Sequence, residues 1–133
     1  MLRPIQLLAV IALCGAALLA GCTGKADLEK IESPAVGDLY AAELSAFSDY
    51  GFSDDDGNGI EPAYGLLQVI AVNDAQVVVI TENAGSQDRT VARTDLKGDL
   101  VGIAFDDSEK IAISRPDLRK AWDDKLIFGV RRR

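Results

Sequence analysis

The chain has 133 residues, with 14 basic and 21 acidic side chains, a net charge of −7 and no histidine. A chain this acidic repels phosphate backbones, which argues against nucleic-acid binding. The missing imidazole removes the commonest general base and metal ligand.

The first 21 residues read as a leader. Arg3 stands before an apolar run from Ile5 to Leu19 that only Gln6 and Gly15 interrupt. A short positive region followed by such a run describes a secretory signal. The run is slightly too short, and too rich in small residues, for a spanning helix. It ends in Leu19-Ala20-Gly21-Cys22.

This ending resembles the lipobox of bacterial lipoproteins, in which a branched apolar residue and two small residues precede an obligatory cysteine. The resemblance covers residues 1–22. It implies that the Cys22 sulfur takes a diacylglycerol by thioether linkage, that the chain is cut before Cys22, and that the new amino group is open to acylation. Each buried methylene adds about 0.8 kcal/mol, so two or more chains hold firmly. In that family an Asp after the cysteine tends to keep the protein in the inner membrane. Thr23 stands there instead, which points to the outer membrane where an envelope has two. Cys14 lies in the leader, so processing leaves no free thiol and no intramolecular disulfide.

Removing 21 residues from 133 leaves 112, enough for one ordinary core. Residues 22–35 read as a lipidated cysteine and tether, with a short helix over 26–31, and 36–133 as one small domain. Val36-Gly37-Asp38 is a turn into a first strand over 39–47, with Tyr40, Ala42, Leu44 and Ala46 on one face. The polar stretch 48–62 carries the turn signals Asp56-Gly57 and Asn58-Gly59. Strands follow over 63–72 and 76–82, joined by Asn73-Asp74-Ala75. Both are apolar on both faces and are expected to be covered on each side or to wrap into a barrel.

Residues 86–97 favour a helix, with Ser86 as cap and Gly98 as stop. A short strand over 109–114 places Ile111 and Ile113 on one face. Ser114 then caps a helix with Pro116 and Asp117 in its first turn and a Leu118, Ala121, Trp122 stripe. Residues 125–130 read as a closing strand. The sum is an α+β domain with a small, mostly antiparallel sheet of about five strands. The opening Pro-Ala-Val-Gly-Asp-Leu-Tyr before a long hairpin resembles the start of small SH3-like barrels, which implies a partial barrel. Fold alone would not give function.

The acidic loop 53–61 is the one stretch that invites metal chemistry. Asp54, Asp56 and Asn58 occupy the first, third and fifth places of a calcium loop, and Gly59 the sixth, where the sharp turn belongs. The resemblance to an EF-hand then fails, because the eighth place is Glu61 and the twelfth is Gly65. Glu61 is still available as a carboxylate ligand from outside the pattern. A calcium-binding envelope module is therefore one alternative.

Trp122, Tyr40, Tyr50 and Tyr64 are candidates for an aromatic binding face, although Trp122 at helical spacing fits a core position. No serine has a histidine to activate it, and Gly-x-Ser-x-Gly is absent. Carboxylates are abundant, but nothing in their spacing selects a pair, so a carboxylate-dependent cell-wall hydrolase is a further alternative. From Cys22 to Glu61 there are ten acids and two lysines, whereas from Arg115 to Arg133 there are seven bases and three acids. The closing Arg131-Arg132-Arg133 reads as a solvated tail that an acidic patch or an anionic headgroup would attract. The overall expectation is a membrane-anchored accessory that binds a protein partner in the envelope, without catalysis.

Overall fold

The computed structural model describes residues 24–133. The leader, the lipobox and Thr23 lie outside the described residues.

The fold is α+β. Residues 24–32 are helical (α1). The strands are β1 Leu39–Glu43, β2 Phe52–Ser53, β3 Gly59–Ile60, β4 Tyr64–Val72, β5 Gln76–Glu82, β6 Phe105–Ser114 and β7 Ile127–Arg131, with helices α2 Arg89–Lys97 and α3 Arg115–Asp123. Five strands form one sheet in the order β6-β5-β4-β1-β7, and β2 and β3 form a separate hairpin. Every pairing in the large sheet is antiparallel. β6 and β7 end it as edges, so the sheet is open and does not close into a barrel.

β1 is shorter than the alternation predicted. Its ladder on β4 stops at the Glu43–Tyr64 pair, where β4 begins. Beyond it the Leu44 and Ser45 N–H groups converge on the single Ala63 carbonyl, so the chain turns at Leu44–Ala46 into a single 3-10 turn and Leu44 drops into the core. The strand is buried on both faces because it is interior to the sheet. Tyr40 and Ala42 pack on the face that carries α3 and Ile31 of α1, while Leu39 and Ala41 pack against Ala92 and Leu96 of α2. Burying a leucine such as Leu118 fully stabilises by roughly 1.5–3 kcal/mol.

The stretch read as tether is part of this packing. Ile31 is 2% exposed, Glu32 pairs with Arg119 of α3, and Arg115 donates to the Glu32 carbonyl. A helix of this length would be marginal alone, and tertiary contact is what holds it.

Two caps differ in outcome. Ser114 accepts from the Asp117 N–H at 3.2 Å, as expected for α3. The cap of α2 is Asp88, not Ser86, since the Asp88 carboxylate accepts from the Thr90 N–H at 2.9 Å. Ser86 instead forms a bridge with Tyr64. β6 begins four residues earlier than the expected 109. The register jumps from Val79–Ile111 to Thr81–Asp106, so the polar residues 107–110 bulge outward and break the alternation that would have revealed the longer strand. Glu109 secures the bulge by accepting from the Ser48 hydroxyl and the Asp49 N–H.

The terminal arginines are not a free tail. Arg132 forms two bonds of 2.9 Å with the carboxylate of Asp38, which is 1% exposed, and a third with the Ser33 carbonyl. Arg131 donates to the carbonyls of Leu96 and Gly98.

Candidate functional site

An acidic cleft lies on the α2 face of the sheet. Its origin is a divergence of two strands. β4 and β5 pair up to Leu67–Thr81, and the chains meet again only at the Tyr64–Ser86 bridge. Between these points the Leu66 N–H has no strand partner. Leaving it buried and unpaired would cost roughly 1–3 kcal/mol. The Glu82 carboxylate turns back and accepts it at 3.0 Å.

Gly65 makes this contact fit. A Cβ there would stand 3.0 Å from Glu82 Oε1 and 2.7 Å from Leu44 Cδ1.

Glu82 is 8% exposed. Its carboxyl is pushed up to about 7, first by desolvation and then by the charge of Asp95, against the Leu66 hydrogen bond, which pulls it down. A carboxyl poised near neutrality in a cleft has the proton affinity a general acid or base needs. Here, however, one oxygen is committed to the backbone and the side chain is almost covered. Its evident work is structural.

The cleft has a volume of about 470 Å³ and is lined by Asp54, Asp55, Tyr64, Glu82, Asp88 and Asp95, among others. Its walls are the β2–β3 hairpin and α2. Asp88 is fixed by its cap bonds to Thr90, which hold its carboxyl below the usual carboxylate range. Four aspartates around one hollow, with Glu82 only partly ionised near neutrality, give it a negative potential, suited to a cationic group and hostile to an anionic one.

The four calcium candidates do not form a cage. Asp54 Oδ1 accepts from the N–H groups of Asp56 and Asn58 at 3.0 and 2.9 Å. Its other oxygen faces the Asn58 amide. Asp54 thus shapes the hairpin turn, in which Gly57 takes a φ of +82°. Asp56 and Glu61 are exposed, and their carboxylates make no bond to Asp54 or Asn58. Among the described residues no three His, Cys, Asp or Glu side chains converge to hold a metal.

The aromatic candidates do not share a face. Tyr40 is in the α3-side core with its hydroxyl raised by burial, whereas Tyr64 packs on the α2 side. Trp122 is partly buried against the α3-side core. Tyr50 is half-exposed and Phe52 is buried.

An aromatic feature that the sequence did not suggest is built on Phe128 of β7. The Arg89 guanidinium lies 4.0 Å from its ring centre and that of Arg93 lies 5.2 Å away. Tyr64 meets its edge at 6.2 Å. The spacing of Arg89 and Arg93, four apart on a helix, was the only available signal.

No helix among the described residues is long and apolar enough to cross a membrane. The chain matches no known protein family, no curated protein and no solved structure.

Proposed function

We propose that this chain is a membrane-anchored envelope lipoprotein whose folded part is a docking accessory, not an enzyme. Lipid on Cys22 holds it to the membrane, on the outer membrane where there are two, and the acidic cleft receives a cationic segment of a protein partner. The observation that carries the reading is the lipobox Leu19-Ala20-Gly21-Cys22, followed at once by a folded domain. The cleft supports the second half through its concentration of carboxylates. Charge of this kind speeds encounter with a basic partner and rejects acidic ones.

The test has two arms. In a bacterial host fed labelled fatty acid, the parent chain takes up label and Cys22→Ala leaves an uncut, unlabelled precursor. A parent chain without label overturns the anchoring. A photo-crosslinker placed at Gln87, on the rim of the cleft, then captures one dominant envelope protein, and Asp55→Lys abolishes that capture. Capture of abundant neighbours only, unchanged by Asp55→Lys, overturns the docking role.

A further inference from the structure

We infer that a basic groove along the free edge of β7 faces the membrane that carries the anchor and takes up its anionic phosphate headgroups. The inference rests on the proposed anchoring at Cys22 and adds an orientation and a ligand class to it.

The groove has a volume of about 730 Å³. It runs along β7 between α1 on one face of the sheet and α2 on the other. Its floor is apolar, from Leu96, Phe128 and Val130. Its charged rim contains Lys30, Arg93, Lys97, Arg131 and Arg132, with Asp27 as the only acid in the lining. Arg132 is neutralised by Asp38. Among the described residues the other four cations have no carboxylate within ion-pairing distance. The groove is thus a cationic strip on a chain whose net charge is −7. Such a strip is favourable on a surface held against anionic lipid, because each cation near that surface is attracted individually.

Distance supplies the second, independent argument. Had residues 22–35 been a flexible tether, the domain would wander roughly 20 Å from its anchor. Residues 24–32 are instead helical and are docked at their C-terminal end through Ile31 and Glu32. Cys22 precedes Gly24 by two residues, a span of at most about 7 Å, and six helical residues carry the chain about 9 Å further to Lys30. The groove wall therefore stands within about 16 Å of the lipidated residue. The opposite sheet edge, β6, lies four strand spacings from β7, about 19 Å away. A leash this short allows few orientations, and attraction of the cationic strip selects one of them.

The full chain, expressed with its leader and purified in detergent, provides the test. Its processed form carries no cysteine other than Cys22, so Asp27→Cys in the groove and Asp107→Cys on the β6 bulge each accept one spin label. The labelled proteins are reconstituted into vesicles of phosphatidylcholine with or without phosphatidylglycerol. Flotation reports anchoring, and collisions with an aqueous nickel chelate report exposure.

We expect flotation with both vesicles. The label at 27 becomes shielded only when phosphatidylglycerol is present, and the label at 107 stays open. Shielding is lost in Lys30→Glu/Lys97→Glu and at high salt, where the screening length shrinks, while flotation persists. Floating protein with an open label at 27, or with shielding that ignores phosphatidylglycerol, overturns the inference and leaves the anchoring intact. Shielding in native envelope membranes but in no protein-free vesicle assigns the groove to a protein and also overturns it. Failure to float with either vesicle removes the anchoring itself, and the inference falls with it.

Discussion

Replacing Glu82 with glutamine tests whether burial of its carboxyl makes the fold weaker at neutral pH than in mild acid. The group rises from an ordinary value of 4.5 to about 7 on folding, chiefly through desolvation. Between these two values the folded state holds a proton that the unfolded state has released. The stability contributed by the protonated carboxyl is therefore complete below pH 4.5, declines as pH rises, and is gone above about 7. Each pH unit in that interval is worth about 1.4 kcal/mol, which sets a ceiling of about 3 kcal/mol.

Glutamine keeps an oxygen for the Leu66 N–H and never ionises. At pH 8 the variant should exceed the parent by up to about 3 kcal/mol, or about 10 °C in Tm for a domain of this size. At pH 5 the two should agree within about 1 kcal/mol. The other displaced carboxyls, Asp88 and Asp106, are lowered by hydrogen bonds from Thr90 and Ser108. They titrate below this window and leave it clean. Urea and thermal unfolding of protein lacking residues 1–23, followed by circular dichroism from pH 5 to 8, measures the effect. Parallel pH slopes in the two proteins, or a variant weaker than the parent at pH 8, would refute the assignment.

Three further outcomes follow from named contacts. Asp38→Ala strands Arg132 and the Ala35 N–H, and should lower stability by about 2 kcal/mol in urea. This is below the usual buried-pair figure because the Arg132 side chain is 40% exposed. A loss under about 0.5 kcal/mol would mean that the C-terminus is not held. Gly65→Ala should cost about 1–3 kcal/mol, because the added Cβ crowds Leu44 and the Glu82 carboxylate; a loss under about 0.5 kcal/mol would mean that the close approach at Gly65 is not needed. Calcium titrated to millimolar concentration should give no binding heat and no rise in Tm, since Asp54 is already occupied by its own turn; a saturable heat would restore the loop as a metal site.

What the sequence revealed was local. The third-strand limits, the Asn73-Asp74-Ala75 connection and the α3 cap are each encoded within a few residues, and each appears as read. Gly57 forms its turn for the same reason. What stayed hidden depends on residues far apart in the chain. The Arg132–Asp38 pair spans 94 positions, and no pattern near either residue announces it. In the sequence Glu82 is simply the polar last residue of an apolar strand. Its burial follows from the divergence of β4 and β5, which only the paired structure defines. The helix at 24–32 was underestimated because its contribution to the core is a single isoleucine, too little to give an amphipathic stripe.

These long-range ties join the two ends of the chain. Arg115 reaches the Glu32 carbonyl, Arg119 reaches the Glu32 carboxylate, and Arg132 reaches Ser33 and Asp38. All three cations come from the last nineteen residues, 115–133, and all three grip the segment that leaves α1. Individually the exposed members contribute little, since a solvent-screened ion pair is worth about 0–1 kcal/mol. Together they fix where the first helix lies, and with it the position of its first residue, Gly24. The basic residues of 115–132 thus govern where the chain enters the domain, which, under the proposed anchoring at Cys22, is the direction in which the domain points.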